Sequence, residues 1–434
     1  VIAPIRYKGV VRRNAIDVAR VSALIIVVLG HLTLAVIDRP HGEIRGANLL
    51  ALHPGWAFVA ALAPMPVFFA AAGWAHTTSS LATASARLSA LIGLGAVVVT
   101  VWSAAVVVTV MVNGDAGVLG DGARIATQPL WFVAGYAALV PLGRRLAELA
   151  RTNIAFVVGG ALALLALLDL ARFAFDANEL IGWPGFYLAW ASPWILGAWW
   201  RQRYEAGGFD ERRVGLLIAA GAVVVGAVLC LGFGYSPAMI DAVPGARSNT
   251  TPPSLYTAVA AVGQVGGLML VAGFLDDIGA RWRKLWDRAG ELSLGIYAWH
   301  LTALSLCGAL IAAGFPTPER LTTVWWITRP LWFAAVLGVA TLFVLATSGV
   351  RAQLRRRSRP SAPPPALLAG VGVVLAVAGG AMVGLRGPRN STLALECAGL
   401  FLASWMLLRP RATAARSGGS STPVQTTPQS HPPA

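Results

Sequence analysis

Residues 12–37 read RRNAIDVARVSALIIVVLGHLTLAVI, and the reading of this stretch decides the fold. From Val21 to Gly30 only Ser22 is polar, which is the composition of a membrane span. Yet Asp17 and Arg20 stand at its entrance and His31 stands well inside it. Arg20 and His31 are about three helical turns apart, so a helix puts them on one face, with Arg13 and Asp17 on the same stripe. The result is a polar rail rising about 16 Å along an apolar helix, with Leu24 and Val28 between its upper members. Ionisable groups at such depth are unfavourable in hydrocarbon and normally face a bundle interior or a wet cavity. The blander alternative is a His paired with a neighbouring helix and an Arg that snorkels to the headgroups.

The rest of the chain has the same character. Of 434 residues, 56% are hydrophobic and 12% charged, with a mean hydropathy of +0.67. That is about half the charge of an ordinary soluble domain. Apolar runs recur at 16–37, 56–75, 88–112, 129–142, 154–172, 185–200, 214–234, 255–275, 290–312, 328–349, 366–385 and 392–408. They predict an all-α polytopic transmembrane bundle: a ten-span core, then a C-terminal two-helix hairpin. The net charge of +15 would suggest nucleic acid in a soluble protein. Here the basic residues cluster in alternate connections (Arg144 to Arg151, Arg201 to Arg213, Arg281 to Arg288, Arg351 to Arg359), which predicts both termini in the cytoplasm and no nucleic-acid partner.

This organisation gives a membrane domain over 1–350, a basic and Pro-rich cytoplasmic linker over 351–365, a transmembrane hairpin over 366–408 and a disordered tail over 409–434. The outer connections 38–55, 113–128, 173–184, 235–254 and 313–327 are of modest length and read as loops. Cys230, Cys307 and Cys397 lie far apart in apolar segments and read as small buried hydrophobes, not as a disulfide framework or metal site. The first apolar run is too long for a signal-peptide core and is expected to be retained. No phosphate-binding glycine loop, zinc signature or nucleophile elbow occurs, so no metal and no bound cofactor are expected.

Three further stretches carry candidate chemistry. GELSLGIYAWH, Gly290 to His300, places His300 about as deep in the ninth span as His31 is in the first, with Tyr297 one turn below it and Ser293 nearer the cytoplasmic mouth. PMPVFFAAAGWAH, Pro64 to His76, combines a proline break with Phe68, Phe69 and Gly73, where close helix packing is an equal reading. QPLWFVAGY, Gln128 to Tyr136, brings Trp131, by itself an ordinary interfacial aromatic. Asp169 and Arg172 read as a structural pair, and Gln264 among glycines as a helix–helix contact.

Taken together, these stretches resemble acyltransferase family 3, a family of integral-membrane O-acyltransferases. Arg13, Asp17, Arg20 and His31 are similar to its first-span motif. Phe68, Phe69 and Gly73 resemble its Phe-Phe-x-x-Ser-Gly element, and Leu130, Trp131 and Phe132 its Leu-Trp-Phe. Ser293, Gly295, Ile296, Tyr297, Trp299 and His300 resemble its Ser-x-Gly-Ile-Tyr-x-x-His. The chain departs from the pattern at Val21, where the family has Gly, and at Ala72, where it has Ser.

The resemblance implies transfer of an acyl group, with acetyl expected, from cytoplasmic acyl-coenzyme A to a hydroxyl of a cell-surface glycan, a lipid or a small molecule. It implies O-acetylation in the cell envelope, and the high Ala, Gly, Val and Arg content points to a bacterial cytoplasmic membrane. His31 would take the acceptor proton or carry the acyl group itself, two routes the residues leave open. Arg20 would hold or polarise the donor and Asp17 would orient Arg20. His300 would be a second acid/base or positioning group. Arg13, Tyr297, Ser293, Phe69, Gly73 and Trp131 complete the expected substrate site. The rival reading is a proton-coupled transporter or exporter, because an intramembrane Asp, Arg and two His also suit a proton relay. The oligomeric state is not legible.

Overall fold

A computed structural model describes residues 5–7, 10–39, 42–43, 45–53, 55–56, 62–77, 81–175, 177–238, 248–357 and 364–410. A short antiparallel pair, β1 (Ile5–Tyr7) and β2 (Val10–Arg12), precedes α1 (Asn14–Leu34). A second pair, β3 (Ala35–Asp38) and β4 (Arg45–Asn48), follows it. The remainder is helical: α2 (Leu49–Leu52), α3 (Met65–His76), α4 (Leu81–Asn113), α5 (Gly117–Thr127), α6 (Phe132–Leu149), α7 (Ile154–Ala174), α8 (Pro184–Ala206) and α9 (Glu211–Phe233) come first. Then follow α10 (Leu255–Arg281), α11 (Arg283–Ala312), α12 (Thr323–Ala346), α13 (Ser348–Arg357), α14 (Ala366–Leu385) and α15 (Ser391–Leu408).

Each of the twelve expected spans contains a helix, and ten helices, taking Gly117–Leu149 as one run, are long and apolar enough to cross a membrane. The two that fall outside that set, α3 and α8, pack against each other. Twelve residues make α3 only about 18 Å long. It starts late because Pro64 and Pro66 occupy its N-terminus, where a missing N–H is harmless; residues 57–61 of the expected span lie outside the described set. The faces of α3 and α8 meet protein rather than lipid, so Trp, Arg and Gln are tolerated on α8. Their contact is very close: a Cβ on Gly73 would lie 1.9 Å from the Trp194 carbonyl oxygen.

Four expectations are corrected. The outer connection 113–128 is largely the helix α5, whose Gly120, Ala123, Ala126 and Thr127 form a buried face of small residues that had looked like loop composition. The first span ends at Leu34, not Ile37, because the chain turns extended and pairs with β4. The connection 38–55 therefore carries β4 and the cap helix α2. The basic segment 281–288 is not a loop: α10 ends at Arg281 and α11 starts at Arg283, broken only at Trp282.

The linker is helical in part, through α13; residues 358–363 and the tail from 411 lie outside the described residues. The hairpin α14–α15 is packed into the bundle rather than appended to it. Helix α15 lies along α4, and α14 lies along α6, where a Cβ on Gly380 would meet the Ala134 nitrogen at 2.6 Å. Small residues that admit a neighbouring backbone are the usual device of membrane helix packing.

Candidate functional site

Helix α1 packs against α3, α10 and α11; of its polar rail Arg13 is buried, with Leu24 and Val28, while Asp17 and His31 are partly buried and Arg20 is exposed. His31 and His300 each lie about 25 Å above the first residue of their helices, α1 and α11. The side chains meet: His31 Nδ1 is 2.8 Å from His300 Nε2, with ring planes 4° from parallel. His300 is fully buried, and its Nδ1 lies 2.6 Å from the Tyr297 carbonyl oxygen. A carbonyl only accepts, so the proton of neutral His300 is on Nδ1 and its Nε2 must accept. His31 then donates from Nδ1, which leaves its Nε2 as a lone pair. That nitrogen has no partner among the described residues, yet it is not sealed from ligands. The arrangement is an open imidazole base held by a second imidazole, which is held in turn by a backbone carbonyl.

Around the pair the walls are aromatic and aliphatic. Tyr297 is buried, and its hydroxyl donates to the Pro129 carbonyl at 2.8 Å, which ties α11 to the turn before α6. Phe132 packs edge-on against Tyr297 and also against Tyr136. Tyr136 Oη in turn lies 3.2 Å from His76 Nε2. Arg20 and Arg87 are both within electrostatic reach of the Tyr136 hydroxyl. The N-terminal side of the site is therefore basic, with Arg20 half-exposed and 3.7 Å from Asp17. Sequence reasoning named His76 and Tyr136 only as ends of motifs and passed over Arg87. Their one legible signal was polar character at the ends of otherwise apolar spans. Ser293 donates to the Gly290 carbonyl and lines an apolar groove of about 210 Å³ between α1, α11 and α12.

The structure places the other expected site residues in packing. Arg13 is buried and gripped by two carboxylates: both terminal nitrogens reach Glu211 at 2.7 Å and Nε reaches Asp276 at 2.8 Å. Its guanidinium lies 4.3 Å from the Tyr204 ring and 5.2 Å from that of Trp200. Burial opposes the charge, but the Glu211 hydrogen bond and the two carboxylates outweigh it and hold the Arg13 pKa above its ordinary value. Arg13 thus joins α1 to α9 and α10. Phe69 is buried and stacks on Trp190 at 5.0 Å. Gly73 lies in the α3–α8 contact. Trp131 packs on Trp190 and Phe186. Asp169 and Arg172 form the expected pair, extended by Glu179 and Tyr235.

The chain is thus a polytopic helical membrane protein with a hydrogen-bonded imidazole pair in its interior. Residues 13–349 match the family model described as an acyltransferase domain, that of acyltransferase family 3. The chain belongs to this family and is a membrane acyltransferase. No match was found among curated proteins or among solved structures.

Proposed function

We propose that the protein transfers an acyl group, acetyl in the first instance, from cytoplasmic acyl-coenzyme A to a hydroxyl presented on the opposite side of a bacterial cytoplasmic membrane. The observation that carries this reading is the oriented imidazole pair with one open lone pair, about 16 Å along α1 from Arg20. The N-terminal side, with its basic connections, is the cytoplasmic one. There Arg20, steadied by Asp17, holds a donor phosphate or the thioester carbonyl. The acyl thioester reaches up the rail to His31.

The step balances without any further reagent. His31 Nε2 takes the proton of the acceptor hydroxyl as its oxygen attacks the thioester carbonyl carbon. The new C–O bond forms, the C–S bond breaks, and the leaving thiolate takes the proton back from His31. While His31 is charged, its Nδ1–H bond to His300 spreads that charge, and the Tyr297 carbonyl holds His300 in the accepting tautomer. An acyl-imidazole on His31 would start from the same lone pair, so the two routes differ only in the first atom to attack.

The test is release of free thiol by purified protein offered acetyl-, succinyl- and longer acyl-coenzyme A, with donor binding measured in parallel. His31→Ala should bind donor and lose turnover, and Arg20→Ala should weaken binding. A folded wild-type protein that binds none of the donors would overturn the proposal. Acid quench during turnover, with mass spectrometry of the His31 peptide, separates direct transfer from the acyl-imidazole route.

A further inference from the structure

Four arginines are buried among the described residues: Arg13, Arg172, Arg201 and Arg329. Three of them have a carboxylate. Arg13 meets Glu211 and Asp276, Arg172 meets Asp169 and Glu179, and Arg201 meets Glu205 at 2.8 Å. Arg329, only 9% exposed, has none among the described residues. Its Nε donates to the Trp325 carbonyl at 3.2 Å. Its guanidinium lies 4.0 Å from the Trp325 ring and 5.4 Å from that of Trp332. Its two terminal nitrogens have no partner among the described residues, yet they are not sealed off. The buried carboxylate on this side, Asp38 of β3, pairs with Arg320 at 3.8 Å instead.

The placement makes this cation more unusual. Arg329 lies in the second turn of α12, whose N-terminal end already carries the positive end of the helix dipole. A second positive charge there is unfavourable until an anion arrives. The side chain is on the inward stripe of α12, with Trp325, Val336 and Ala340 buried above and below it. Trp332, under the guanidinium, packs against the cluster that contains Leu32 and Leu301. Leu32 and Leu301 directly follow His31 and His300 in sequence, so α12 packs on the two helices that carry the imidazole pair. Arg329 is also on the side of the pair away from Arg20.

Resting on the acyl-transfer reading, we propose that Arg329 anchors an oxyanion of the acceptor, a phosphate or carboxylate carried near the hydroxyl that is acylated. The two tryptophans hold the guanidinium flat, which leaves its edge to receive two oxygens side by side. The acceptor is then an anionic hydroxyl compound, and a neutral one of the same shape is a poor substrate.

The experiment uses the full chain in maltoside detergent stripped of phospholipid, with inorganic phosphate as the probe and thermal unfolding as the readout. Phosphate should raise the midpoint of the wild type and of Arg20→Gln, whose donor clamp is disabled. It should leave the Arg20→Gln/Arg329→Gln double variant unmoved and give Arg20→Gln/Arg329→Lys an intermediate response. An Arg20→Gln/Arg329→Gln protein that responds as Arg20→Gln does overturns the proposal. Adding phospholipid tests the other source of phosphate. If it abolishes the response, and native mass spectrometry finds a bound phospholipid that Arg329→Gln lacks, the site holds a lipid headgroup and the acceptor assignment is wrong.

A second readout is thiol release from acetyl-coenzyme A with glucose 6-phosphate and with methyl glucoside as acceptors. Arg329→Gln should lower kcat/KM for the phosphorylated acceptor about tenfold or more, leave the neutral one unchanged, and so erase the preference. Arg320→Gln, which loses only the contact to Asp38, should keep it. A wild type without preference overturns the proposal. Thiol release from no acceptor at all would overturn acyl transfer instead, and the phosphate response would still report on Arg329.

Discussion

Two buried polar constellations flank α1, and they are built to opposite rules. At its foot, Arg13 is surrounded: Glu211 and Asp276 take every guanidinium nitrogen, the other Asp276 oxygen accepts from the Ala15 amide at 2.7 Å, and Trp200 donates to Glu211 at 2.8 Å. In its last turn, His31 and His300 share one hydrogen bond, with no carboxylate among the described residues to neutralise them and one nitrogen left over. Saturated networks hold helices together, because removing any member strands a buried charge. An unsaturated group in hydrocarbon has no such justification and marks chemistry. On the proposed function the same helix carries a joint and a reactive centre, and mutations should separate them.

The largest effect is expected at the centre. His31→Ala should lower turnover by about 10³- to 10⁴-fold, or about 4 to 5.5 kcal/mol in barrier, with the unfolding midpoint unchanged. Arg13→Met should do the reverse. It strands two carboxylates and should destabilise the fold by about 3 to 5 kcal/mol, while protein kept folded in the cold still releases thiol. His300→Ala removes the group that orients His31, and turnover should fall by about 10²-fold with the donor KM unchanged. An equal loss on His31→Ala and His300→Ala would mean that the pair reacts as a unit. Gly73→Ala forces a methyl onto the Trp194 carbonyl and should destabilise by about 1 to 3 kcal/mol, as seen by detergent melting, without a selective change in KM. The smallest effect belongs to Tyr297→Phe, which loses one hydrogen bond to Pro129 and should shift stability by about 1 kcal/mol.

The contrast also explains how much could be read from the chain. The bundle was legible because membrane spans are written in local composition, and every expected span contains a helix. The imidazole pair was legible as two histidines at matched depth on separate spans, since depth follows from counting residues along a helix. The role of Arg13 was not. Its partners are 198 and 263 residues away, and nothing local separates a joint from a substrate contact. The remaining clue was weak: Glu211 opens α9 and Asp276 stands near the end of α10, both acids beside apolar spans. Helix α5 was misread because Gly, Ala and Asp serve a tightly packed helix as readily as a loop. Phe69, Gly73 and Trp131 belong to a family motif, and motif membership does not distinguish a residue that touches substrate from one that lets helices approach. Nothing local in the sequence distinguishes Arg329 from the other arginines; only three-dimensional packing shows that it is buried with no carboxylate among the described residues.

The most direct test of the central claim, that the open imidazole of His31 is the reactive group and Arg13 the joint, is thiol release from acyl-coenzyme A by wild type, His31→Gln and Arg13→Met in nanodiscs, with the unfolding midpoint recorded on the same samples. The account predicts a His31→Gln protein that melts like the wild type and releases no thiol above background, and an Arg13→Met protein that melts early but turns over while folded. A stable His31→Gln protein with wild-type turnover would contradict it.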